Sequence, residues 1–308
     1  MAKTLDVVTG AFGYTGAAIT RMLLAGGRAV RTLTNHAKPG HPLSGLVEAA
    51  PLDFADAAGL RRSLEGADVL YNTYWIRFAY GGMTYERVAE NSRELIRAAK
   101  DAGVRRIVHV GIANYSDDSP LGYYRGKAQV VRAIEQSGLS YAILCPTVIF
   151  GEGGILINNI AWLLRRFPFF AIPNNSDCRM QPIFVDDLAE MAVNAGAQTQ
   201  NTIEDAVGPV IYSFEDLLKL MGNVLGTKVR ILRVSPRNLR LIVKPLDWLT
   251  GDIVLMQWEI DGLAADLLVS KKPPLGWTLL SEWLSQNGNK VGRHYMSELR
   301  THFNSNPN

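Results

Sequence analysis

Eight residues near the start of the chain, Thr9-Gly10-Ala11-Phe12-Gly13-Tyr14-Thr15-Gly16, constrain its fold more than any other stretch. They stand between the apolar run Leu5-Asp6-Val7-Val8 and the helix-like Ala17-Ala18-Ile19-Thr20-Arg21-Met22-Leu23-Leu24. Strand, glycine turn and helix in that order hold a dinucleotide pyrophosphate. Gly10 permits the tight turn, Gly13 lets backbone approach phosphate, and Gly16 lets the helix pack close to the strand. The helix N-terminus then offers unpaired N–H groups and a positive dipole end to the anion. The spacing is G-x-x-G-x-x-G, and in a chain with 28 glycines a triplet alone says little, so its flanks carry the inference. Gly10, Phe12, Gly13, Tyr14 and Gly16 are the first candidate cofactor contacts. The competing reading is a glycine-rich turn that binds nothing.

The chain then alternates strand and helix. Residues 28–34, 47–52, 67–72, 106–110 and 141–149 read as further strands, with helices over 55–64, 85–102 and 123–136 between them. This βα alternation implies an α/β fold, a Rossmann-type doubly wound parallel sheet. Ligands in such sheets bind at the carboxyl ends of the strands. The residues just past each strand are therefore the ones to inspect, which adds Asn72 and Phe54. At the end of the second strand stand Thr34, Asn35 and His36, followed by Lys38. No carboxylate is present there to bond a ribose 2′-OH or repel a 2′-phosphate. Lys38, Arg31 or Asn35 could help hold that phosphate, which favours NADP over NAD. Asp53 closes the third strand, where an acid can accept from the adenine amino group.

Past the fifth strand, Tyr123-Tyr124-Arg125-Gly126-Lys127 opens a helix. Tyr123 and Lys127, four apart, share a helix face. There the ammonium can lower the phenol pKa and bond the nicotinamide ribose, and the phenol can exchange a proton with a carbonyl or alcohol. The aromatics Tyr74, Trp75, Phe78 and Tyr80 could wall an apolar pocket, or simply pack between helices.

Bulk properties narrow the class. The 308 residues are 47% hydrophobic, enough for one large domain or two unequal ones. The division expected is a dinucleotide domain over 1–153 and 180–212 and a smaller substrate-side domain over 154–179 and 213–308. Net charge is +3, with basic residues reading as spread along the chain, which argues against a nucleic-acid surface. Cys145 and Cys178 supply neither a disulfide framework nor a metal cluster. The chain enters a strand at once and shows no bilayer-length apolar run, so the expectation is a soluble cytoplasmic protein without signal peptide or membrane span. An interfacial helix near Arg237–Trp248 is the one membrane-related reading of the C-terminal part. Ser213 reads as an N-cap over a helix to Leu225, residues 238–248 as a run interrupted by Pro245, and 252–269 and 281–303 as further helical pieces.

Thr9 to Gly16, Asp53, Tyr123 with Lys127, Pro146-Thr147-Val148-Ile149-Phe150-Gly151 and Ile183-Phe184-Val185-Asp186-Asp187-Leu188-Ala189 together resemble the short-chain dehydrogenase/reductase superfamily, in its extended or atypical branch. The resemblance covers about residues 4 to 215. It is nearest in kind to the group related to the dehydrogenase-like accessory subunit of respiratory complex I. The first half is similar to nitrogen-metabolite-repression regulators, some of which bind dinucleotide without turnover. The resemblance implies that the Pro146 segment passes beside the nicotinamide, adding Pro146 and Val148 to the candidate contacts. It also implies a homodimer through the helices after the fourth and fifth strands. One departure matters: where the superfamily carries a Ser or Thr after the fifth strand, this chain has Gly111-Ile112-Ala113, with Ser116 and Ser119 as the nearest substitutes. Three functions follow as expectations. The first is an NAD(P)-dependent oxidoreductase of a small apolar carbonyl or alcohol. The second is a non-catalytic NAD(P)-binding sensor or accessory subunit. The third is a nucleotide-sugar epimerase or dehydratase.

Overall fold

The computed structural model describes residues 4–35, 38–174, 178–252, 257–297 and 299. His36 and the tail of the 281–303 segment lie outside the described residues. In chain order the elements are β1 (Leu5–Thr9), α1 (Tyr14–Ala25), β2 (Ala29–Leu33), β3 (Glu48–Ala50), α2 (Ala57–Leu64), β4 (Ala67–Asn72), α3 (Tyr85–Asp101), β5 (Arg106–Val110), α4 (Gly122–Glu135) and β6 (Ser140–Leu144). There follow β7 (Val148–Phe150), α5 (Ile155–Leu164), β8 (Phe169–Pro173), β9 (Arg179–Met180), β10 (Pro182–Phe184), α6 (Val185–Ala197) and β11 (Thr202–Glu204). The chain closes with β12 (Tyr212–Ser213), α7 (Phe214–Leu225), β13 (Arg230–Val234), α8 (Pro236–Thr250), α9 (Gln257–Ala264) and α10 (Leu280–Asn287).

Contacts divide the chain into two units, Met1–Pro146 with Val185–Ala206, and Thr147–Phe184 with Val207–Asn308. The breaks therefore fall at 146, 184 and 206 rather than at 153, 180 and 212. The first unit holds a seven-stranded sheet in the order β11-β6-β5-β4-β1-β2-β3, and its ladders are parallel. Val7, Val8, Leu70, Ile107 and Ile143 are wholly buried, as continuous apolar strands covered on both faces must be. Helix α1 packs with α6, while α2, α3 and α4 pack in a row. Strand order reverses between β1 and β4, which opens the crevice where such sheets hold ligands. At the opposite end of the strands Arg28 grips buried Asp6 with two bonds of 2.6 Å, and Asp68 joins Arg28 to Arg105. That network fixes the register of β1, β2 and β4 without touching the crevice end.

The second unit pairs β8 with β13, β7 with β10, and β9 with β12. Its core gathers Phe150, Ile157, Leu164, Leu217, Met221 and Leu284. Ser213 caps α7 by accepting from Asp216 N at 3.0 Å, as its sequence position suggests. Two elements differ from the sequence expectation. The strand expected over 141–149 is broken: the β6 ladder stops where Pro146 has no N–H to give, and β7 joins a different sheet. The run over 238–248 is not interrupted at Pro245, since α8 continues through it to Thr250. Among the described residues α9 covers only part of 252–269, and no helix is long and apolar enough to cross a membrane.

Candidate dinucleotide-binding site

The glycine turn is built as its spacing requires. Gly10 adopts φ +71°, the left-handed region that glycine enters at no steric cost. A Cβ at Gly13 would sit 3.2 Å from the Gly10 carbonyl oxygen, and one at Gly16 would overlap that carbonyl outright. Gly13 N donates to Gly10 O at 2.8 Å, which closes the turn at the N-cap of α1. Helices α2 and α3 are capped by the side chains of Asp56 and Thr84, whereas Gly13 gives α1 no side-chain cap and the first turn of α1 holds no acid. The leading N–H groups of α1 thus remain for an anion.

A reciprocal clip holds this turn to the end of β4. Thr73 N donates to Thr9 Oγ1 at 2.7 Å, and Thr73 Oγ1 donates to Thr9 O at 2.5 Å. Asn72 Oδ1 accepts from Tyr74 N at 3.0 Å and from Thr9 Oγ1 at 3.3 Å. Its amide nitrogen is buried and has no hydrogen-bond partner among the described residues. Leaving such a donor unmet costs about 1–3 kcal/mol, so a ligand acceptor at the strand ends suits it. The Tyr14 hydroxyl is likewise buried without a partner among the described residues, and burial, helped by Asp186, holds its pKa above the ordinary value. The cradle and these two unmet donors fit a dinucleotide phosphate and ribose.

Beside the turn, Phe12 lies 5.2 Å, ring to ring, from His41, a residue that sequence reading missed. Burial lowers the His41 pKa, and the charges of Lys38 and Arg21 push it the same way. Lys38 and Arg21 therefore bring positive charge near the Phe12–His41 pair, and the lowered pKa leaves His41 itself uncharged at pH 7. Thr34 N donates to Ala50 O at 3.0 Å. Asn35 is committed elsewhere: its amide donates to Leu52 O at 2.6 Å and accepts from Leu52 N at 3.0 Å. Arg31 is spent too, on the carbonyls of Ser63 and Glu65 and on Glu48 at 2.9 Å. The third strand's end places Asp53 in a turn, accepting from Ala55 N at 2.8 Å, with the Phe54 ring 5.0 Å from Tyr74.

The ends of β4 and β5 carry a second cluster. Lys127 on α4 is 4% exposed, donates to Val110 O at 2.9 Å, and lies 4.7 Å from the centre of the Trp75 ring. Burial pushes its pKa down to about 7, while the Cys145 thiol acts weakly the other way. His109, wholly buried on β5, meets Asn72 O at 3.1 Å through Nδ1. A carbonyl only accepts, so the proton sits on Nδ1, and Nε2 is an acceptor with no partner among the described residues. Burial, with the Lys127 charge, pushes the His109 pKa down to about 3. Tyr123 packs edge-on against Trp75 at 5.8 Å and Tyr85 at 5.7 Å. Trp75 in turn stacks on Tyr85 at 6.2 Å, and a Cβ at Gly126 would come within 2.9 Å of the indole.

The structure also explains the missing hydroxyl after β5. A Cβ at Gly111 would lie 3.1 Å from Cys145 Sγ and 3.4 Å from Ile143 Cγ2, so a serine there needs those side chains to give by a few tenths of an ångström. Ser116 is no substitute. It lines a cleft with Arg132, Glu135 and Gln136, at the far end of α4 and about 13 Å along the helix from Tyr123. Ser119 accepts from Leu121 N at 3.2 Å in the turn that leads into α4. Pro146 places its carbonyl on Ala113 N at 2.8 Å, and Val148 belongs to β7 of the second unit, paired with Pro182.

A parallel sheet with a glycine cradle at its switch point defines a dinucleotide-binding protein, and the fold is shared by NAD(P)-binding oxidoreductases and epimerases. Residues 10–155 match the NAD(P)H-binding family. Sterol demethylase protein B of Methylococcus capsulatus is 39% identical over 120 residues, 38% of this chain and 37% of that protein. The mitochondrial NADH dehydrogenase [ubiquinone] 1 alpha subcomplex subunit 9 of Dictyostelium discoideum is 22% identical over 235 residues, 73% of this chain. That match spans 65% of the Dictyostelium subunit, so both relatives are matched over less than two thirds of their length. Among solved structures, Citrobacter sp. triphenylmethane reductase superposes with a TM-score of 0.76 at 18% identity, covering 93% of this chain and 99% of that one. The NADPH-dependent quinone oxidoreductase of Escherichia coli gives 0.70 at 20% identity, covering 92% and 99%.

Proposed function

We propose that the chain is an NADP(H)-dependent oxidoreductase that interconverts a small, apolar carbonyl compound and its alcohol. The observation that carries this reading is Lys127. A lysine held 4% exposed with its pKa near 7 costs stability, and no carboxylate pairs with it among the described residues. A buried lysine kept at such cost one helical turn from Tyr123 supports a role in chemistry. When bound, the nicotinamide supplies or takes the hydride. Tyr123 gives its phenolic proton to the carbonyl oxygen in reduction and takes it back in oxidation. Lys127, one helical turn away, favours the phenolate that this leaves. The rings of Trp75, Tyr85 and Tyr123 offer an apolar wall, which sets the substrate class.

Tyr123→Phe tests the chemistry. NADPH affinity is expected to stay within about twofold while turnover falls by about 10²–10⁴, the range for loss of a general acid. Turnover that survives the change removes Tyr123 from this role. Preference for NADPH over NADH rests on Lys38, whose charge reaches the Phe12–His41 pair. Lys38→Glu is expected to weaken NADPH by about 10- to 100-fold, leaving NADH nearly unchanged. Equal effects on the two cofactors, measured by calorimetry, would refute the preference.

Gly111 favours a second reading, a non-catalytic NAD(P)H-binding subunit. With Gly111-Ile112-Ala113 in place of the usual hydroxyl, the site lacks one donor for a carbonyl oxygen. That reading expects cofactor binding without turnover on any carbonyl.

A further inference from the structure

Helix α8 exposes what a soluble helix buries. Trp248 is 88% exposed, Leu241 64%, Leu249 60% and Ile242 40%, while Leu239 is buried. At about 100° per residue, Trp248, Leu241, Pro245, Leu249 and Ile242 fall on one arc of roughly 120°. Arg237, Lys244 and Arg240 occupy the adjoining arc of roughly 60°, and all three are exposed. Contrary to the even spread expected from the sequence, charge is concentrated here. Residues 226–251 hold six Lys and Arg (Lys228, Arg230, Arg233, Arg237, Arg240, Lys244) and one acid, Asp247, a net +5. The whole chain is +3, which leaves −2 for the rest.

We propose that α8 lies flat on an anionic lipid surface, with its apolar arc among the acyl-chain boundary and its cations on the headgroups. A contiguous apolar arc bordered by lysine and arginine needs a surface that is both apolar and negative, and a bilayer interface is one. The exposed indole of Trp248 suits that boundary, where the ring is apolar and the N–H stays wet. Pro245 fits the same depth. It has no N–H for the Leu241 carbonyl, which headgroup water reaches but a hydrocarbon core would not. The helix therefore rests on the membrane and does not span it. This inference is independent of the chemistry assigned to Tyr123 and Lys127.

The test is flotation of the full chain with vesicles of phosphatidylcholine alone and with about 30% phosphatidylserine. Binding to the anionic vesicles, a blue shift of tryptophan emission absent in Trp248→Ala, and weakening by added salt are expected. Leu241→Asp with Trp248→Ala should lower partition by about tenfold or more, and Arg237→Glu with Lys244→Glu should remove the preference for anionic lipid. Unchanged NADPH affinity in both double variants shows that they fold. No flotation with either vesicle, or equal flotation of the variants, overturns the proposal. So does a dimer in light scattering that Leu241→Asp with Trp248→Ala dissolves while vesicles are ignored, since the face would then belong to a second copy.

Discussion

Replacing Gly16 with valine is expected to raise the NADPH dissociation constant at least about 100-fold, or roughly 2.7 kcal/mol. The added Cβ overlaps the Gly10 carbonyl and lies 2.8 Å from its carbon and 3.2 Å from Thr9 O. Those atoms have little room to retreat. Gly10 is already in the left-handed region, and Thr9 is clipped to Thr73 through its carbonyl and its hydroxyl. The helix must lift off β1, which moves the uncapped N–H groups of α1 away from the phosphate. Overpacking of this kind also lowers stability by about 1–3 kcal/mol. Gly13→Ala, whose Cβ meets Gly10 O at 3.2 Å, keeps the experiment decisive if the valine variant does not fold, and a smaller loss is expected. Gly45→Ala faces open space and serves as the silent control. Titration calorimetry reads all three, and wild-type affinity in Gly16→Val would remove the cradle from cofactor binding.

The second large effect concerns Lys127→Met. The lysine's ordinary pKa of 10.5 applies in the unfolded chain, and burial lowers it to about 7 in the folded one. Between those values the unfolded chain binds a proton that the folded chain does not. Wild-type stability therefore rises with pH from about 7 to 10.5, and the whole penalty is present below 7. Methionine removes it. The variant is expected to be more stable by about 2–4 kcal/mol at pH 6, after discounting the lost bond to Val110 O and the contact with Trp75. The gain should shrink above pH 7 and vanish near 10, as measured by denaturant unfolding at several pH values. A pH-independent difference, or a less stable variant at pH 6, would show that Lys127 is charged at little cost. The variant should also lose turnover, which places stability and function in opposition at one residue.

Much of the first unit was legible because its signals are local. Residues 67–72 and 106–110 are apolar runs between a glycine or charged flank and a polar strand end, and both strands fall where the runs do. Gly10, Gly13 and Gly16 declared their backbone demands through their spacing between a strand-like run and a helix-like one. Other features depend on the partner a residue meets. The sequence shows Tyr123 and Lys127 four apart, but Trp75, which covers the ammonium, comes 52 residues earlier. His109 is one polar residue in the apolar strand 106–110, and only its contact with Asn72 O marks it as part of the site. Asn35 and Arg31 had the right chemistry for a phosphate, yet Leu52 and the end of α2 claim their side chains. Pro146 and Pro245 show the same limit from opposite sides. A proline ends β6 because the next ladder partner needs its N–H, while Pro245 is exposed and α8 proceeds.

The most direct test of the oxidoreductase reading is deuterium transfer. NADPH deuterated at the reactive nicotinamide carbon is incubated with the protein and a panel of small aromatic and aliphatic ketones and aldehydes, and the products are weighed by mass spectrometry. Deuterium in an alcohol product with the wild-type chain, and none with Tyr123→Phe that binds NADPH equally well, is the expected result. Tight NADPH binding by the wild-type chain with no label transferred to any carbonyl would contradict it and place the chain among the binders that do no chemistry.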